Sequence, residues 1–350
     1  MKKNSIIIAL FVILFLCFTN IVFGMGSRPK PPGQAEIGYG SSQNYICNNY
    51  KKGFTGNWIE EQTGGDGSNA WYFVPSALKN GNKAPVVVFL HGQFMISWQI
   101  YDSYIQHLLK QGIIVIFPQF NKTMLGLLGD NNQYDFMDRA INSTNEALSM
   151  IKNEYGDIVD LNDFVISAHS VGGILALCWT ASGGIPPQAI VLNNGCVDNT
   201  ASPDFVKIIS LDYKNMASAN TCPIFILWGD SDTIAFEKQQ ADIYYYCSNA
   251  SSKAVYTAHS QKNGLSKLSA DHMASSCNQG FFPDWIMQIA GGSGKVNTLD
   301  YRYYWNGIDA AIAGETELYF DMGYWSNSAE VTQITKGLPN IDVFSYLPEN

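Results

Sequence analysis

The sequence predicts an α/β protein: a mostly parallel, doubly wound central sheet with helices on both faces. Three observations point there. Short runs such as APVVVFL are apolar without interruption, which suits a strand covered on both sides. These runs alternate with helix-patterned stretches, the signature of βαβ units. The polar motifs fall just after the runs: His91-Gly92-Gln93 after VVVFL, Ser170 after FVISA, Asp232 after IFILW, and His272 in the loop following KAVYT. In such sheets ligands bind outside the carboxyl ends of the strands.

Taken in order, residues 25–67 are rich in Gly, Ser, Pro and Asn and read as an irregular segment packing on the core, while 68–350 form a single domain. AWYFVP and APVVVFLHG open the sheet. A helix over 98–110 leads to the strand GIIVIFP, and a long helix spans 135–154. DFVISAHS is a strand followed by a helix over 171–180. QAIVLNNG and CPIFILWGD are further strands, 236–247 a helix, and KAVYTAHS a strand. The aromatic stretch LDYRYYWNGIDAAIAG is expected to pack as a helix against the fold. Between Asn194 and Thr221 there is too little chain for a large lid, so the cleft should be open.

With 350 residues and 46% hydrophobic content, one large core is affordable in area terms. A net charge of −9 argues against a nucleic-acid partner, which needs a basic surface. Residues 1–24 read as a signal peptide: Lys2 and Lys3, an apolar run over 6–18, polar Thr19 and Asn20, and Gly24 at the cut. The run is shorter than the roughly 20 residues of a spanning helix. The expectation is a secreted, periplasmic or extracellular protein after cleavage near Gly24. Loss of Cys17 leaves Cys47, Cys178, Cys196, Cys222, Cys247 and Cys277, an even number compatible with disulfides, although Cys178 reads as a buried thiol. No C-x-x-C or His-rich spacing suggests a metal. Sequons start at Asn121, Asn142 and Asn249.

Chemistry centres on ISAHSVGG. A strand that turns sharply into a helix can expose a serine hydroxyl at the bend, provided its neighbours are small. Gly172 and Gly173 meet that need, and Ala168 adds one methyl where a G-x-S-x-G elbow has its first glycine. Ser170 is therefore the candidate nucleophile. A serine needs a histidine to take its proton and a carboxylate to orient that histidine. In elbows of this kind the chain order is Ser, then Asp or Glu, then His. His91, His107 and His169 come too early, and His169 reads as packing beside the elbow. Of the remaining two, His272 has the longer loop to reach back and is preferred over His259. For the acid, Asp232 is preferred, with Asp230 and Asp198 as alternatives. The N–H groups of Gln93 and Val171 are the candidate oxyanion donors. Phe94 and Trp98 either wall a substrate site or cover the sheet edge.

PVVVFLHG, GIIVIFP, AHSVGG, PIFILWGDSD and ADHM, spread over 70–274, together resemble the α/β-hydrolase superfamily. The likeness is to its branch without a large lid domain, which includes dienelactone hydrolase-like enzymes, chlorophyllases and polyester hydrolases. Secreted bacterial members also carry an MG-x-W-S segment, here Met322-Gly323-Tyr324-Trp325-Ser326. The resemblance implies a serine esterase or lipase that uses no cofactor or metal. An open cleft suits lipid-like or polymeric esters and peripheral contact with lipid surfaces. Ala168 and the segment beyond Cys277 depart from the pattern. An acyltransferase with the same triad, or a catalytically silent hydrolase fold used for binding, are the alternatives.

Overall fold

The computed structural model describes residues 28–338 except 58–59, 61–66, 94, 123–129, 199–207 and 278–279. The leader over 1–24 and Phe94 lie outside the described residues.

In chain order the elements are β1 (Tyr50–Phe54), β2 (Ala70–Pro75), β3 (Ala84–Leu90), α1 (Asp102–Lys110), β4 (Ile114–Pro118), α2 (Gln133–Tyr155), β5 (Val159–Ser170) and α3 (Gly172–Cys178). There follow β6 (Ala189–Gly195), α4 (Tyr213–Met216), β7 (Ile224–Gly229), α5 (Glu237–Tyr246), β8 (Lys253–Ala258) and a hairpin of β9 (Gln261–Asn263) and β10 (Ser266–Leu268). The last are α6 (Asp284–Ile289), a π-helical turn Asp300–Tyr304 that runs into α7 (Trp305–Ile312), and β11 (Thr335–Lys336).

The main sheet has the order β1-β2-β4-β3-β5-β6-β7-β8-β11. Strands β4 through β8 in that row are mutually parallel, and β1, β2 and β11 add antiparallel edges. After β3 the chain builds β4 on one side and then returns to build β5 on the other. That reversal is the topological switch point, where parallel sheets open a crevice for ligands.

The central strands are largely apolar because both faces of the sheet are covered there. In β3, Val86, Val88 and Leu90 enter one core with residues of α2 and α3, while Val87 and Phe89 enter the other with residues of α1 and α7. Alternation of side chains along a strand puts neighbours on opposite faces. The helix expected over 98–110 begins as a 3-10 turn, Trp98–Tyr101.

Both ends of the described chain are tied down by specific bonds. The Gly40 N–H donates to Asp309 Oδ2 at 2.8 Å, and the Ile46 N–H to the Lys110 carbonyl at 2.8 Å. In the MG-x-W-S segment, the Ser326 N–H donates to the Lys30 carbonyl at 2.9 Å and Trp325 is buried, so the segment joins the two ends of the chain. All six cysteines in the described residues are free thiols, so no disulfide staples the fold.

Candidate active site

Ser170 ends β5 with φ at +54°, a left-handed conformation rare for a residue with a side chain. Such strain costs about 1–3 kcal/mol and is held in place only by surrounding structure. That structure is visible in the glycines. A Cβ on Gly172 would run into the Leu90 carbonyl, and one on Gly173 would lie 2.9 Å from Gly195 Cα. Helix α3 thus crosses β3 and β6 at a distance only glycine permits. Ala168, by contrast, is fully buried and pairs with Leu90 and Leu192 in register, so its methyl finds room.

Ser170 Oγ lies 2.9 Å from His272 Nε2. On the other side of the ring, His272 Nδ1 lies 2.9 Å from Asp232 Oδ2 and 3.1 Å from Oδ1. A carboxylate can only accept, so Nδ1 carries the hydrogen and Nε2 presents its lone pair to the serine hydroxyl. Asp232 Oδ1 also accepts the N–H groups of Ile234 and Ala235, each at 2.8 Å, which fixes the carboxylate on the turn after β7. Gly229 is needed because the Ala270 carbonyl sits where its Cβ would be. All three side chains are buried: Ser170 is 8% exposed, Asp232 6% and His272 2%.

The competing residues are placed elsewhere. His259 Nδ1 pairs with Asp230 Oδ2 at 3.1 Å, and His259 Nε2 meets Thr335 Oγ1 at 3.0 Å, in a separate, partly exposed group. The side-chain bonds of His272 go to Ser170 and Asp232, and Asp198 is not among its partners.

On the β3 side, a Cβ on Gly92 would lie 3.2 Å from Ser170 Cβ, so the loop after β3 passes directly over the serine. The Met95 N–H donates to the Gly92 carbonyl at 3.0 Å, closing a turn that contains Gln93. Val171 occupies the N-cap of α3 immediately after the serine. The candidate donors therefore belong to the residues that follow Gly92 and Ser170, the two that meet here. The Trp98 ring packs edge-on against Phe73 at 5.3 Å and Trp71 at 6.2 Å, with the Lys52 amino group over it, and so covers the sheet edge.

The residues 72–183 match the Chlorophyllase family model, a stretch from β2 to just beyond α3 that includes the Gly92 loop and Ser170. The order of strands and this match agree on one fold. By fold the chain is a doubly wound α/β protein, similar over 72–183 to the Chlorophyllase family. A crystal structure from Klebsiella pneumoniae, provisionally described as a dienelactone hydrolase, aligns with a TM-score of 0.45 and 15% identity over 69% of this chain and 98% of that one. No curated protein matches the sequence significantly. The family match supports a hydrolase of the esterase type.

Three residues around Ser170 and His272 were not legible as partners. His169 does more than pack beside the elbow: its Nε2 donates to the His272 carbonyl at 2.9 Å and its Nδ1 meets the Tyr101 hydroxyl at 2.9 Å. Burial, with His272 nearby, pushes its imidazole down to about 3 and keeps it neutral. Tyr101 leaves no sequence signal, because its role depends on the 3-10 turn it closes. Cys196 Sγ lies 3.7 Å from Ser170 Oγ, and burial pushes this thiol up, so it stays protonated beside the serine.

Proposed function

We propose that the protein is a serine hydrolase of carboxylic esters. The observation that carries this reading is the unbroken line from Ser170 Oγ through His272 to Asp232, at a strained strand-to-helix turn. As the Ser170 oxygen attacks the acyl carbonyl, its proton moves to His272 Nε2, and the imidazolium formed is stabilised by Asp232 through Nδ1–H. The carbonyl oxygen becomes an anion between the Gln93 and Val171 N–H groups, each worth about 2.7–4 kcal/mol of barrier lowering where such donors have been removed. His272 Nε2–H then protonates the departing alkoxide, leaving Ser170 acylated. A water, activated by the same nitrogen, attacks the acyl group, and the acid leaves with Ser170 restored.

The chlorophyllase match over 72–183 supports extended or lipid-like esters as substrates. The apolar run over 6–18 supports export. A panel of p-nitrophenyl esters of graded acyl length, with triglyceride and phospholipid added, tests the proposal. Turnover with preference for longer chains is expected, and Ser170→Ala should remove it. Turnover of none of these esters by the folded protein would contradict it.

A further inference from the structure

The turn that carries His272 is gripped at two consecutive carbonyls. The Asp271 carbonyl accepts Asn194 Nδ2 at 2.8 Å, and the His272 carbonyl accepts His169 Nε2 at 2.9 Å. The two donors stand near the carboxyl ends of adjacent strands, β5 and β6. Each is fixed from behind by a tyrosine: Tyr304 Oη lies 2.8 Å from Asn194 Oδ1, and Tyr101 Oη lies 2.9 Å from His169 Nδ1. All four side chains are buried.

We propose that His169 and Asn194, locked by Tyr101 and Tyr304, are positioning residues that set the reach of His272 to Ser170. The proposal rests on the reading of His272 as the base.

The hydrogen positions follow from the acceptors. A carbonyl only accepts, so His169 Nε2 carries the proton and its Nδ1 is a lone pair. The Tyr101 hydroxyl must then donate to Nδ1, and its oxygen accepts the Gly92 N–H at 3.0 Å. One chain of bonds therefore runs from the Gly92–Gln93 turn, through Tyr101 and His169, to the backbone of His272. Donor side and base side of the site are set by the same residue pair. A charged His169 would lose this pattern and place a cation against the His272 ring, whose centroid is 4.9 Å away. Its depressed affinity for protons keeps it in the donating, neutral form.

The Asn194 arm carries its own mark of selection for geometry. Its φ is +52°, where glycine would be free of strain. Asparagine tolerates that region better than most residues and supplies the amide that glycine lacks. Its partner Tyr304 ends the π-helical turn Asp300–Tyr304, an irregularity often found where a side chain must be re-aimed. Without the two grips, Asp232 would still hold the ring of His272 but not the backbone behind it. A displacement of about 1 Å at a reacting group costs on the order of 100-fold in rate.

Steady-state kinetics on p-nitrophenyl butyrate, with circular dichroism to verify folding, test this in Tyr101→Phe, Asn194→Gly, His169→Gln and His169→Leu. Ser170→Ala is the control. Tyr101→Phe and Asn194→Gly should lower kcat by about tenfold, in keeping with loss of the buried hydrogen bonds each side chain makes, and leave KM within about twofold. His169→Leu should lose more, and His169→Gln, which keeps an N–H for the His272 carbonyl, should recover part of that loss. If His169→Leu does not fold, Tyr101→Phe and Asn194→Gly still decide the matter, since the first deletes one oxygen and the second relieves backbone strain. Folded variants with wild-type kcat, beside an inactive Ser170→Ala, would overturn the clamp alone. Activity in Ser170→Ala would overturn the reading of the site, and the clamp with it.

Discussion

His272 Nδ1 stands 2.9 Å from Asp232 Oδ2, and the other oxygen of that carboxylate is held by two backbone N–H groups. The carboxylate cannot turn away without abandoning those donors. Asp232→Asn keeps the shape but offers an amide to Nδ1, which favours the tautomer with its proton facing Ser170. We expect kcat on a p-nitrophenyl ester to fall by about 10⁴-fold, as such an exchange does where a triad aspartate is replaced. A loss below about tenfold in a folded variant would speak against Asp232 as the orienting acid.

The pair His259 and Asp230 has the same chemistry without the burial, with side chains 25% and 34% exposed. An ion pair in that setting contributes at most about 1 kcal/mol. His259→Ala should leave kcat/KM within about twofold of wild type and stability within about that same energy. Kinetics and a urea titration of the variant check both values.

The elbow gives a pair of opposite expectations. Ala168→Gly completes the G-x-S-x-G pattern but removes a buried methyl and loosens β5, so activity should hold and stability should drop by about 1 kcal/mol. Gly172→Ala drives a methyl into the Leu90 carbonyl. Overpacking of this kind costs about 1–3 kcal/mol, and here the shift falls on the strand that precedes the Gly92 loop. Thermal melts and ester turnover of the two variants should therefore diverge, with Gly172→Ala losing both.

His91 and His169 make stability depend on pH in a defined direction. His91 is fully buried, stacked on Phe120 with ring centroids 3.9 Å apart, and burial pushes its imidazole down to about 3. Below about pH 6.5 the unfolded chain takes up a proton that the folded site refuses, so stability is lost as pH falls from there toward 3. Each such histidine contributes a slope of about 1.4 kcal/mol per pH unit in that window. His91→Phe removes one of the two slopes. Between pH 7 and 4.5 the variant should lose about 2.5 kcal/mol less than wild type in urea unfolding. Equal losses would show that His91 does not stay neutral in the fold.

Much of the fold is legible because a strand covered on both sides is apolar along its length, and β3, β4 and β7, with β6 up to Leu192, are written that way. Ser170, Asp232 and His272 are legible as well, because each follows such a strand and chain order sorts the histidines. The grips are not. His169 and Asn194 reach carbonyls about a hundred and about eighty residues away, through bonds that exist only once β5, β6 and the turn after β10 are side by side. Asn193 and Asn194 do leave a trace, as two amides at the end of a fully buried strand. The edge strand β11 is two residues long and has no pattern of its own, and the place of Trp98 on Trp71 and Phe73 follows from the antiparallel edge.

The central claim is that Ser170 is a nucleophile activated by His272. Intact-protein and peptide mass spectrometry after reaction with a fluorophosphonate tests it most directly. The account predicts one adduct per chain, located on Ser170, absent in Ser170→Ala and formed far more slowly in His272→Ala. A folded protein that stays unlabelled, or that carries the adduct on another residue, would contradict it.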